Sequence, residues 1–156
     1  MVDEYKEQGQ DAAHHVQRFN IWGQAIPVAW PHDGVNREKG TGEQLSEIYA
    51  ESGANMLGLS ARWLDDKGGG QSVERGVMEL NDRAKTGRFK VFSHCTQFLE
   101  EKRFLHRKDG KIVAVRDDIF KSVLYGMMML RYAVAKNETT LYSTVADADY
   151  DPLQDF

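Results

Sequence analysis

Apolar positions along this chain fall into two rhythms. Short unbroken runs read as buried strands: residues 26 to 30 (IPVAW), residues 54 to 60 (ANMLGLS) and residues 88 to 92 (RFKVF). Val2 to Tyr5 offers a fourth, shorter candidate. Between the runs, apolar residues return at helical spacing. Residues 11 to 22 (DAAHHVQRFNIW) predict a helix that turns Ala13, Val16, Phe19 and Ile21 or Trp22 toward a core. Thr41, with Gln44 three residues on, forms a capping-box pattern ahead of Leu45, Ile48 and Tyr49, and Gly53 ends that helix. Ser72 caps a third helix that closes near Gly87, and residues 95 to 106 make a short fourth. FLHRKDGKIVAV then reads as a β-hairpin turning at Asp109-Gly110. A last helix opens at Asp117-Asp118 and runs through LYGMMMLRYAVAK. Strands alternating with helices predict an α/β domain with a largely parallel sheet. Residues 137 to 156 are acidic and aperiodic, as expected of a loose tail.

Length and composition narrow the class. The 156 residues suit one domain, and 41% hydrophobic with 28% charged residues is ordinary for a globular protein. A net charge of −4 gives no overall basic footprint, although a local basic groove is compatible with it. One cysteine, Cys95, rules out an internal disulfide and fits a reducing compartment. No apolar stretch reaches membrane-spanning length, and the first residues are acidic, so the expected location is cytosolic.

The candidate chemistry is acidic. Asp33 lies just past the run ending at Trp30, and ligands of open α/β sheets collect outside the carboxyl ends of strands. Taken alone, Asp33-Gly34 reads more readily as ordinary turn chemistry. Asp117 and Asp118 open a helix, where acids also serve as caps and complement the dipole. If the three converged they would suit hard Mg²⁺ or Mn²⁺ ions, which two-metal sites hold about 3.5–4 Å apart. The glycine run at residues 68 to 70 lacks the Gly-Lys-Ser/Thr ending of a P-loop and reads as a flexible loop, with Lys67 as a candidate contact to a DNA backbone. The histidines lack zinc-ligand spacing, and His94-Cys95 reads as structural. Met127 to Met129, with Leu124, Leu130 and Val134, read as adaptable core filling.

In combination, "IPVAWPHDG", "GEQLSEIYAESGANML", "GGGQSVERGVMEL", "GRFKVFSHCTQFLEEKRFLHRKDGKIV" and "RDDIFKSVLYGMMM" resemble the C-terminal nuclease domain of the large terminase subunit of tailed phages, of the podovirus headful-packaging type. The resemblance runs from about Asp3 to Ala135 and assigns residues 1 to 136 to that domain. It implies an RNase H-like mixed sheet flanked by helices and a metal-dependent endonuclease that cuts concatemeric phage DNA. It also implies Asp33, Asp117 and Asp118 as catalytic metal ligands, with Mg²⁺ or Mn²⁺ as cofactor. The partners it implies are double-stranded DNA, a terminase ATPase domain, the small terminase subunit and the portal, in the cytoplasm of a bacterial host.

Two departures qualify the resemblance. Where the family commonly has a further Asp in the last helix, this sequence has Lys121. The family's first metal-binding Asp, on its first strand, has no match, since neither Asp3 nor Glu4 aligns with it. The expectation is therefore a truncated domain lacking its first strands, holding one ion or none in place of two, and weak or inactive. The alternative is a non-catalytic prophage remnant that folds and binds DNA or a packaging partner. The apolar run 26 to 30 would be left as an open sheet edge suited to a homo-oligomer. Lys67, Arg107 and Lys108 are the candidate nucleic-acid contacts, through salt-sensitive phosphate binding.

Overall fold

A computed structural model of the chain describes residues 1–37, 42–64, 70–113 and 116–133, and every structural statement below concerns these. The expected tail, Thr41, Lys67 and residues 134 to 136 of the last predicted helix lie outside them, and within them that helix already ends at Met128 and gives way to a 3-10 turn, short of the predicted run. Five α-helices and one hairpin follow in order: α1 (Ala12–Trp22), α2 (Leu45–Glu51), α3 (Val73–Lys85), α4 (Thr96–Phe104), β1 (His106–Lys108), β2 (Lys111–Val113) and α5 (Asp118–Met128). Short 3-10 turns stand at His32–Val35 and Leu130–Tyr132.

Each helix starts where a side chain satisfies its free amides. Asp11 accepts the His14 N–H at 2.8 Å ahead of α1, and Ser72 accepts that of Arg75 at 3.3 Å ahead of α3. The capping box of α2 lies later than the sequence pattern suggests: Gln44 is the cap and Glu47 reaches back to its N–H at 3.2 Å. α4 is capped from a distance, because the Gln97 and Phe98 amides donate to the Glu4 carboxylate at 2.8 and 2.9 Å. It stops at Phe104, before the predicted end, since His106 already pairs in the hairpin. That hairpin is antiparallel with His106 opposite Val113, and Asp109 and Gly110 both take positive φ (51° and 75°), as a two-residue I′ turn requires.

The parallel sheet expected from the sequence is not formed. The only sheet among the described residues is the two-stranded hairpin. Residues 26–30 and 54–60 run side by side but share a single parallel bridge, Val28 to Met56, and neither 2–5 nor 88–92 is a strand. The cause is visible in the backbone bonds. Val28 N–H donates to Asn55 C=O at 2.8 Å, Leu57 N–H to Val28 C=O at 3.1 Å, and Ala61 N–H to Trp30 C=O at 2.7 Å. Pro27 and Pro31 have no N–H to add. On the opposite edge, the Ala29 N–H and Pro27 C=O have no backbone partner among the described residues. These groups face a groove of about 600 Å³, walled by Tyr5, Phe19, Trp22 and Ile119. A ladder needs a strand on that side to continue, and the N-terminal segment that lines the groove makes no backbone hydrogen bond to residues 26–30 among the described residues.

The apolar core sits where α3, α4 and α5 meet. Phe98 and Phe120 stack with ring centroids 6.0 Å apart, beside Leu80, Leu124, Met127 and Met128, all buried. α3 and α5 approach closely at Gly76, where a Cβ would stand 3.0 Å from Leu124 Cδ1. The predicted core residues are met in part. Val16, Leu124 and Met127 to Met129 are buried, but Ile21, Leu45 and Leu130 are exposed and Ala13 faces solvent.

Candidate functional site

Asp33 is carried by the 3-10 turn His32–Val35, closed by Gly34 N–H to Pro31 C=O at 3.0 Å and Asn36 N–H to Asp33 C=O at 2.9 Å. The turn rests on Trp30, whose indole N–H donates to Leu57 C=O at 2.6 Å. Gly34 lies directly over that ring. The Asp33 carboxylate is thereby held at an exposed position beyond the extended segment, where the sequence placed it.

Asp117 stands at the N-cap of α5, but its side chain makes no capping bond. It pairs with Lys121, one turn on, at 3.2 Å, and is only 13% exposed. Another turn along the same face is Tyr125. Its hydroxyl is pushed above the usual tyrosine range first by burial and then by the Asp33 charge, with Asp117 adding and Lys121 opposing. The charges of both carboxylates act on the phenol, Asp33 more strongly than Asp117.

Asp118 turns the other way. Its carboxylate binds Lys6 at 2.8 Å on a 69% exposed side chain, and Lys6 also binds Glu101 at 3.0 Å. Glu101 is buried and accepts the Phe120 N–H at 2.8 Å, which fixes the first turn of α5. Adjacent residues at a helix start point about 100° apart, and here each has its own lysine. No three His, Cys, Asp or Glu side chains among the described residues come together as a metal-ligating group. The expected convergence of Asp33, Asp117 and Asp118 into one ligand group is not seen among the described residues. The carboxylates of Asp33 and Asp117 are hard oxygen donors of the kind Mg²⁺ or Mn²⁺ takes.

Of the candidate DNA contacts, Arg107 binds the Glu74 carboxylate on α3 and Gly110 C=O at 3.0 Å, so it braces the hairpin. Lys108 is exposed on β1. His94 Nε2 lies 2.8 Å from Val2 C=O. Cys95 is fully buried, and burial pushes its thiol up, the opposite of an activated nucleophile. Sequence reasoning missed Glu101 and Lys6, because partners 95 positions apart leave no local signal. The spacing of Asp117, Lys121 and Tyr125 was readable as one helix face.

A mixed helical domain with a hairpin and acids brought to the start of its last helix is the architecture to compare. No protein-family model matches the chain. It is 51% identical over 113 residues to the large terminase subunit of Salmonella phage P22, covering 72% of this chain and 22% of that protein. It is also 51% identical over 109 residues to the large terminase subunit of Enterobacteria phage LP7, covering 69% and 22%. Its structure matches the P22 large terminase nuclease domain with a TM-score of 0.71 at 45% identity, over 83% of this chain and 66% of that one. The chain belongs to the phage large terminase subunits, in the region of their nuclease domain. It spans about a fifth (22%) of the length of the curated relatives it matches.

Proposed function

We propose that the chain is the core of a metal-dependent endonuclease domain of RNase H-like type, acting on concatemeric phage DNA during packaging. The observation that carries the reading is the placement of Asp33 in the exposed turn after an extended segment and of Asp117 at the N-cap of α5. It is supported by 45% identity to a solved terminase nuclease domain. A bound divalent ion would supply Lewis-acid activation of water and neutralise phosphate charge. Asp33 and Asp117 would hold it, and Asp118, engaged by Lys6, would enter only if that ion pair opened. Lys67 and Lys108 remain the proposed phosphate contacts, with Arg107 contributing if it leaves Glu74. Terminase ATPase domain, small subunit and portal are proposed partners in the host cytoplasm.

With two acids in place of a full set, cleavage by this chain should be slow and Mn²⁺-dependent. A plasmid-nicking assay tests it. Faint nicking lost in Asp33→Asn and Asp117→Asn supports the nuclease reading, whereas nicking unchanged in both variants overturns the site. Total inactivity with salt-sensitive DNA binding favours the second reading, a non-catalytic domain that binds DNA. That reading draws on the two lysines that already neutralise the acid pair. The open edge at Pro27 and Ala29 is a proposed pairing surface between copies; sedimentation showing only monomer at high concentration would dismiss it.

A further inference from the structure

Lys121 sets this site apart from a simple acidic pocket. An Asp followed four residues later by Lys is ordinary helix support when both lie on an exposed face. Here the carboxylate is the less exposed partner: Asp117 is 13% exposed, against 38% for Lys121. The neighbouring acid, Asp118, is 69% exposed and already taken by Lys6. The ammonium of Lys121 therefore lies 3.2 Å from the more buried of the two acids, on the α5 face that also carries Tyr125. A cation at that place competes with any other cation for the same carboxylate oxygens, and it repels a dication a few ångströms away.

We propose that Lys121 is a built-in counter-cation for Asp117, which a divalent ion must displace to bind there, so that this one side chain sets the metal affinity of the site. The proposal rests on the reading of Asp33 and Asp117 as metal ligands. Displacement costs little backbone rearrangement, because the ammonium sits on a flexible four-carbon stem. Lys121 thus acts on the metal through Asp117 and is a positioning residue.

Calorimetric titration of Mn²⁺ into the full chain tests it without reference to cleavage. Lys121→Met, which keeps the apolar stem and helix propensity, should bind Mn²⁺ roughly three- to tenfold more tightly than the unmodified chain, as expected from removing a partly exposed ion pair and its repulsion. Lys121→Arg keeps the charge and should stay within about twofold. Lys121→Gln repeats the charge removal should the Met variant fold poorly by circular dichroism. If the unmodified chain binds Mn²⁺, Asp33→Asn weakens it, and neither charge-removing variant binds more tightly, the role of Lys121 is overturned while the metal site stands. If neither the unmodified chain nor the charge-removing variants bind at millimolar Mn²⁺, the site and the role of Lys121 fall together.

Discussion

Gly34 has no room for a side chain. A Cβ there would stand 2.6 Å from Trp30 Cε3, and the ring cannot swing away without giving up its bond to Leu57 C=O. The glycine next to Asp33 is therefore a matter of close approach, with turn preference secondary. Gly34→Ala should destabilise by about 1–3 kcal/mol, the usual cost of forcing atoms into a packed site. Gly58→Ala is the control, since nothing lies within 4 Å of its Cβ position. Thermal unfolding that ranks the two variants equally would show that Trp30 yields more easily than this packing implies. The turn reading and the functional reading of Asp33-Gly34 are then compatible, because the same tight turn fixes where the carboxylate stands.

Helix α5 is held at its start by a residue from α4. Glu101 accepts the Phe120 amide through Oε2 and the Lys6 ammonium through Oε1, while Lys6 reaches on to Asp118. Glu4, two residues before Lys6, caps α4 in turn. The first six residues thus fasten two of the three helices that build the core, although they form no strand. Glu101→Ala would leave the buried Phe120 amide without its acceptor and Lys6 with Asp118 alone, and should cost about 1–3 kcal/mol. Hydrogen exchange should locate the loss at the first turn of α5, with the Phe120 amide exchanging faster than those near Leu124. A uniform increase across all helices would instead point to global loosening.

The whole molecule carries its pH sensitivity at both ends of the scale. Asp3 is held below the usual carboxylate range chiefly by the Trp22 indole N–H, and Glu7 chiefly by the His14 side chain, both tying the N-terminal segment to α1. Carboxyls depressed in the folded state stabilise it above their unfolded values of 3.8 and 4.5, and that stability is lost as pH falls through the lower folded values. Tyr49 and Tyr125 are raised, led by burial, so their contribution is intact below about 10 and is lost as pH rises through their higher folded values. Denaturation midpoints across pH should form a plateau with a loss at each side. Asp3→Asn should lower the plateau and flatten the acid limb, and an acid limb unchanged in that variant would remove Asp3 as its cause.

Much was settled by the chain's own pattern. Helical spacing and caps placed α1, α3 and the start of α5 within a residue or two, and Asp109-Gly110 dictated the hairpin, because those choices depend on neighbours a few positions away. The sequence also singled out Asp33, Asp117 and the Lys121 substitution. It could not give the sheet. IPVAW and ANMLGLS have the composition of buried strands, but a strand exists only where other backbones offer hydrogen bonds on its edges, and Pro27 and Ala29 face a groove. Nor could it say that Asp117 and Asp118 part company. Adjacent acids look equivalent in one dimension, and only the packing of α4 against α5 sends one toward Lys121 and Tyr125 and the other toward Lys6. Local chemistry specifies the elements, while the pairing of edges and charges depends on what the fold brings within a few ångströms.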